Sequence, residues 1–377
     1  MVLNETPVRT SVNFNANEIE LKDFEVPQND NRFINRTIYV NSEKKTLLVA
    51  ESDEDSNRLN DLYEDARISV SELIKDPSDV KFGVGKEITG ACIEKANQPL
   101  RIVAKENSAL SEVNIDFSFD DSNDFLQDII EIYVEKNAQL NVIINYIPKA
   151  EDEISYYHNG IIKICALDNS HINITIVNLL NNYSTNFLSV DNKLLDNAKL
   201  DFNIVDFGGK HSITNYFTDL YGKSSDNSLN TIYLGNQNQL FDLNYIAHCR
   251  GEKTNVNIEV QGALQDEAIK HFKGTIDFKK GCKKSIGNEN ESCLLLSDKA
   301  KSLALPMLLC SEEDVEGNHA SSSGKADSKE LFYLMTRGIS EKDAMKLLVR
   351  AKFNNIIEHI SNIETKDLIL SVIDNKL

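Results

Sequence analysis

Asn107-Ser-Ala-Leu110, Asn137-Ala-Gln-Leu140, Asn169-Ser-His-Ile172, Asn197-Ala-Lys-Leu200 and Asn227-Ser-Leu-Asn230 open five stretches of this 377-residue chain in one way. Each starts with Asn, a small residue and a variable position, and the first four then place an aliphatic residue. The Asn residues stand 30, 32, 28 and 30 positions apart. Behind four of them runs an alternating segment: Leu140-Asn-Val-Ile-Ile144, Ile172-Asn-Ile-Thr-Ile176, Leu200-Asp-Phe-Asn-Ile204 and Asn230-Thr-Ile-Tyr-Leu234. Alternation at period two buries one side of a strand. Recurrence of such strands every 30 or so residues predicts a solenoid, because no single turn can bury its own apolar face. Asn suits the corner, since it tolerates the left-handed backbone region and its amide can satisfy a local backbone group. A weaker sixth copy, Gly251-Glu-Lys-Thr254, leads into Asn255-Val-Asn-Ile-Glu-Val260. Chance recurrence in an Asn-rich chain would not keep five copies in register with strands behind most of them.

Between the copies lie second strands such as Ile129-Ile-Glu-Ile-Tyr-Val134 and Ile161-Ile-Lys-Ile-Cys165, so each turn holds at least two. The chain therefore reads as mainly β: a right-handed parallel β-helix over 76–325, a small, partly helical N-terminal cap over 1–75, and a C-terminal helical domain over 326–377. In the cap, Thr46-Leu-Leu-Val-Ala50 is a strand, and Leu59, Leu62, Tyr63 and Ala66 have helical spacing behind the acidic Glu51–Ser56. Strand grammar resumes near 78 with Asp79-Val-Lys-Phe-Gly-Val84, Leu100–Ala104 and Val113–Phe117. Leu303-Ala-Leu-Pro-Met-Leu-Leu-Cys310 has the near-continuous apolar character of a strand buried on both faces. Beyond 326 the period turns helical, with starts at Asp327, Ser340 and Thr365 and a stop at Arg337-Gly338. The apolar positions of the second helix are Ala344, Leu347, Leu348 and Ala351. Three amphipathic helices at a solenoid end would protect its edge and offer a docking surface.

A net charge of −19, from 59 acidic and 40 basic residues, repels phosphate backbones and anionic lipid, so nucleic acid and membrane are not expected partners. The first residues lack the basic start and apolar run of a secretory signal, and no 18 consecutive apolar residues occur, which predicts a soluble, cytoplasmic protein. Six Cys without a CxxC pair argue against a zinc ribbon or a disulfide framework. Adjacent His248 and Cys249 would point to opposite faces of a strand and do not form a joint metal site.

Between the apolar strand and the helices stands Ser311-Glu-Glu-Asp-Val-Glu-Gly-Asn-His-Ala-Ser-Ser-Ser-Gly-Lys325, read as an irregular connection of the kind that carries function. Glu312-Glu-Asp-Val-Glu-Gly-Asn-His319, Leu331-Phe-Tyr-Leu-Met-Thr-Arg-Gly-Ile-Ser340 and Lys273-Gly-Thr-Ile-Asp-Phe-Lys-Lys-Gly281 together resemble the signature of the SufB/SufD family of iron-sulfur cluster assembly proteins. The resemblance is clearest over 200–350, weak over the first 75 residues, and agrees with that family's β-helix core. SufB-type chains carry Glu after the signature His, whereas this chain has Ala320 and is short for a SufB, so it is most like SufD.

The resemblance implies a scaffold rather than an enzyme. It would pair with SufB, recruit the SufC ATPase through its helical region, and support cluster assembly or iron acquisition near the SufB interface. His319 matches the cluster-site His; an imidazole can ligate iron where a Cys shell is incomplete. Glu316 and Cys293 are weaker candidates, and Cys293, beside Leu294-Leu-Leu296, also reads as a buried core thiol. Cys282 and Cys310 read as structural. Phe332, Tyr333, Arg337 and Gly338 are the candidates for the SufC contact. The resemblance implies no intrinsic cofactor and no stably bound metal. It allows a transient iron-sulfur cluster at the SufB interface and a homodimer in the absence of SufB, and leaves open whether reduced flavin binds the complex. Two other readings compete: a β-helix carbohydrate-active enzyme, against which the absence of Trp for sugar stacking argues, and a purely structural solenoid.

Overall fold

Two nine-stranded sheets face each other in the computed structural model, which describes residues 1–8, 17–22, 24–27, 29, 33–42, 47–50, 83–149, 153–360 and 362–377. The first sheet stacks β3 (Arg36–Asn41), β6 (Ser111–Phe119), β8 (Gln139–Pro148), β10 (His171–Asn178), β12 (Lys199–Asp206), β14 (Asp226–Gly235), β16 (Asn255–Leu264), β18 (Ser285–Leu295) and β20 (Val315–Lys325). The second stacks β4 (Leu47–Ala50), β5 (Gln98–Ala104), β7 (Phe125–Val134), β9 (Tyr157–Ala166), β11 (Thr185–Leu194), β13 (His211–Leu220), β15 (Leu240–Cys249), β17 (Ile269–Phe278) and β19 (Lys301–Cys310). From β5 and β6 onward every pairing is parallel, so the chain climbs eight turns of a β-helix, two long strands to a turn.

The corner chemistry follows the repeat. Asn107, Asn137, Asn169 and Asn197 all take φ between 55° and 58°, the left-handed region that Asn enters more readily than other non-Gly residues. Their side-chain amides form a ladder up the edge, each donating to the Asn one turn below at 2.8, 3.1 and 3.1 Å. The fifth copy is a correction. Leu200 pairs with Asn227, so the corner above Asn197 belongs to Ser224, φ 56°, followed by Lys253 and Lys284. Asn227 instead lies inside the solenoid, donating to the Leu200 carbonyl.

Inward-facing aliphatics and rings fill the interior. Phe202, Tyr216, Tyr245 and Phe272 stack edge to face at 5.1 to 6.0 Å between centroids. Outside, α1 (Lys86–Lys95) buries Ile88 and Cys92 against β7 and β9. The strand grammar expected from 78 onward is therefore interrupted by a helix at Lys86–Lys95, one turn of i, i+4 spacing being its signal, while the strand expected at Asp79–Val84 lies, up to residue 82, outside the described residues. Leu47–Ala50 is a strand as expected, while the helix expected around Leu59–Ala66 lies outside the described residues.

The two ends differ. At the start, β3 and β4 run antiparallel to β6 and β5 and satisfy their free edges. The N-terminal strand β1 (Val2–Leu3) pairs with β2 (Ile19–Glu20) on the outer face of the second sheet. Asn4 is buried there: it donates to the Thr214 carbonyl and to Asp242, and its own carbonyl accepts from Lys273 at 2.9 Å. Lys273, first residue of one signature segment, is thus a clip for the N-terminus, its charge balanced by Asp242 at 2.8 Å.

The C-terminal helices α2 (Ser328–Thr336), α3 (Glu341–His359) and α4 (Ile363–Lys376) form as expected, with Asp327 and Ser340 as caps; the cap of the last is Asn362, not Thr365. They do not cover the solenoid end. Helices α3 and α4 pack across the outer face of the first sheet, with Val349, Phe353, Ile356, Ile369 and Ile373 meeting Val177, Val205, Phe207, Ile232, Leu234 and Ala263. On α3 the buried seam runs through Ala344, Val349 and Phe353, leaving Leu347 and Ala351 exposed. The sheet's outward apolar positions lie in its middle turns, and that is where the helices bury their own.

The end of α4 is held by Lys376. Its ammonium donates to the Phe207 carbonyl and to side-chain oxygens of Asn182, Asn236 and Gln239, with no carboxylate in contact among the described residues. Burial lowers its pKa to about 7. A Lys depressed on folding makes the unfolded chain the better proton binder between pH 7 and the ordinary Lys range. Stability from this group therefore rises with pH across that window. Urea midpoints measured at pH 7 and pH 9.5 should rise more for the wild type than for Lys376→Met; parallel shifts would contradict the assignment.

Candidate functional site

The last turn is open. The expected connection over 311–325 is largely a strand: β20 pairs in parallel with β18 along its whole length and leaves its other edge free. The apolar Leu303–Cys310 stretch is not buried on both faces. It lies in β19, the terminal strand of the second sheet, where Met307 alone is buried because among the described residues no further turn stacks upon it. Phe278, Leu308, Val315 and Gly317 line a cleft at this end.

Strand alternation and register sort the candidates. His319 pairs with Glu289 and lies between two inward positions: a Cβ at Gly317 would meet Leu308 and Phe278, and Ser321 donates to Glu291 at 2.8 Å. His319 therefore stands on the interior side of β20, in solvent because the turn is the last. Glu316, three residues away, is on the opposite, outer face, and its register partner is the outward Ile286. Cys293 faces inward but pairs with Ser323. Four residues of strand from 319 to 323 span ~13 Å at about 3.3 Å per residue, so Cys293 and His319 do not share a site. Burial raises the Cys293 thiol pKa, as suits a core residue. Cys282 is buried as expected, whereas Cys310 is exposed.

Beneath the open turn lies a polar layer that the sequence reading missed. Lys270 of β17 and Glu291 of β18 form an ion pair at 2.6 Å with neither side chain exposed. Lys270 also donates to the Leu303 carbonyl, and Glu291 accepts from Tyr233 and Ser321. Glu289, two positions before Glu291 on the same face, is 2% exposed, and among the described residues neither of its oxygens has a hydrogen-bond donor. Burial, then the neighbouring Glu291 charge, raises its pKa to about 8. Its carboxyl lies against Gly274, where a Cβ would stand 2.3 Å from Oε1. That approach accounts for the Gly in the Lys273-Gly-Thr segment. A period-two reading of Gly287, Glu289, Glu291 and Cys293 would have placed both acids on one face; their pairing with Lys270 needs the neighbouring sheet.

The helical signature is exposed. Helix α2 has no buried residue; Phe332 and Tyr333 are 68% and 57% exposed, and Met335 joins them. Arg337 stacks on the Tyr333 ring at 5.1 Å, and Gly338, φ 87°, ends the helix. Among the described residues no three His, Cys, Asp or Glu side chains gather as a metal-binding group, and no helix is long and apolar enough to cross a membrane.

These features define a parallel β-helix protein that, among the described residues, has one end capped by antiparallel strands, one end without a cap and a helical appendage on its flank. The family model described as SUF system FeS cluster assembly, SufBD core domain, matches residues 117–352, and the chain belongs to that family; within it the chain is SufD-like. It is 25% identical over 247 residues to the iron-sulfur cluster assembly protein SufD of Bacillus subtilis, covering 65% of this chain and 56% of that one. A SufBD family protein of Pyrococcus horikoshii is 26% identical over 321 residues, 84% of this chain and 68% of the relative. The SufD of Escherichia coli is 24% identical over 210 residues, 55% and 49% respectively. The chain thus spans about half the length of the two SufD relatives.

Proposed function

We propose that the chain is a SufD-type scaffold subunit, not an enzyme, of an iron-sulfur cluster assembly complex, pairing with a SufB-type chain and recruiting a SufC-type ATPase. The observation that carries this reading is the asymmetry of the solenoid. Antiparallel strands close its beginning, while β19 and β20 leave free edges and an open cleft at its end. Free edges of this kind pair with another chain by strand addition. The unburied Phe332, Tyr333 and Met335 give the ATPase an apolar foothold beside that end. A transient cluster would then form where His319 meets the partner.

Co-expression with the cognate SufB-type and SufC-type chains tests the proposal. Phe332→Ala with Tyr333→Ala is expected to weaken SufC binding by about 30-fold per anchor, at ~2 kcal/mol for an aromatic hot spot, and to leave the SufB contact intact. Retention of SufC by a chain shortened to residue 326 would sink the assignment.

A further inference from the structure

Four neutral oxygens of the solenoid converge on the ammonium of Lys376. They come from the connections that follow β10, β12 and β14, and so from three successive turns. Gln239 Oε1 is at 2.9 Å, Asn182 Oδ1 at 3.3 Å and Asn236 Oδ1 at 3.4 Å, and the Phe207 carbonyl completes the set. Hydrogen bonds within the solenoid aim these oxygens. Gln239 donates its Nε2 to the Gly209 carbonyl at 2.7 Å, which leaves Oε1 for the cage, and Asn182 donates its Nδ2 to Asn236 Oδ1 at 2.9 Å. Gln239 Oε1 is further held by the Asn236 backbone N–H at 3.0 Å. None of these bonds uses α4, so the cage stands without the lysine that fills it. Asn182, Asn236 and Lys376 are half-buried, and solvent reaches that side of the cage.

We propose that Asn182, Phe207, Asn236 and Gln239 form a recognition site for a primary alkylammonium group of the kind a lysine side chain carries, filled here by Lys376 and able to take such a group from another molecule when Lys376 is withdrawn. An alkylammonium brings three N–H donors and no acceptor, which suits a cage of oxygens. Neutral amide and carbonyl oxygens hold a singly charged ion through their dipoles, whereas Mg²⁺ and Ca²⁺ sites are built around carboxylates. Among the described residues no carboxylate touches the Lys376 ammonium, and Asp206, next to Phe207, is engaged by Asn178 and Ser212. The site is independent of the scaffold reading, because neither the last turn nor α2 contributes a residue to it.

Lys376→Ala empties the cage, and n-propylammonium replaces the atoms removed. Titration of this full-length variant at pH 7, followed through the side-chain amide signals of Asn182, Asn236 and Gln239, should give saturable binding at one site. Tetramethylammonium and K⁺ at the same ionic strength, which carry the charge without an N–H, should not reproduce it. The wild type, its cage filled, should bind n-propylammonium at least about tenfold more weakly than Lys376→Ala. So should Lys376→Ala combined with Gln239→Met, which loses a hydrogen bond to a charged donor. Circular dichroism reports the folding of each variant, and Asn182→Ala, at a half-buried position, takes the place of Gln239→Met if the latter does not fold. Absence of saturable binding by Lys376→Ala, equal binding of K⁺ or tetramethylammonium, or undiminished affinity in the wild type or the double variant overturns the site.

Discussion

Replacing Lys270 with Ala is expected to destabilise the protein by about 3–5 kcal/mol, the cost of stranding one member of a buried ion pair. Its ammonium is 2.6 Å from Glu291 Oε1, with neither side chain exposed, and Glu289 adds a second carboxyl on the same face. Without Lys270 the Glu291 carboxylate keeps, among the described residues, Tyr233 and Ser321 as donors, and a second acid stands beside it. Desolvation nearly offsets the attraction within such pairs, so the pair itself contributes little. Lys270→Met combined with Glu291→Leu should therefore recover most of the loss. Urea midpoints of the three proteins decide the matter. A single variant losing less than about 1 kcal/mol, or a double variant as unstable as the single, would contradict the account.

Phe353→Ala is expected to cost about 3–5 kcal/mol as a large-to-small core change, felt at one place. Phe353 is fully buried, and its ring stacks on Phe207 of the solenoid at 5.9 Å between centroids. It is the largest side chain that α3 sets against the first sheet, so its removal loosens the helices from their seat while the stacked turns keep their own core. Amide exchange should accelerate across 341–376 and stay unchanged across β8 to β14. Leu347→Ala, on the exposed side of the same helix, should stay within about 0.5 kcal/mol of the wild type. Uniform acceleration through the solenoid would mean that the helices and turns unfold as one unit.

Much of the architecture was legible because it is written at short range. The Asn corners at 107, 137, 169 and 197 and the period-two strands behind them fix a parallel stack before any distant contact is known. The fifth copy misled for a physical reason: Ser224 also tolerates the left-handed corner, while Asn227, three positions on, satisfies itself inside against Tyr216 and Leu200. Likewise Ile88 and Cys92 form a helix among strands because the face of β7 and β9 buries them, which their local sequence only hints at.

The candidate site was legible only in part. His319 stood out through the segment around it, but whether that segment is a loop or a strand depended on β18 offering it an edge. The sequence by itself determined the solenoid, its four Asn corners, the three terminal helices and the family signature, since each depends on residues within one turn or on their simple spacing. Tertiary structure alone decided that the helices lie on the flank and, among the described residues, that no strand caps the last turn and that Glu289 has no donor while Lys270 reaches Glu291. Those facts join residues about 30 positions apart, or in opposite sheets, which stacking brings to within ~5 Å of one another, and no local pattern encodes which partner will be waiting there.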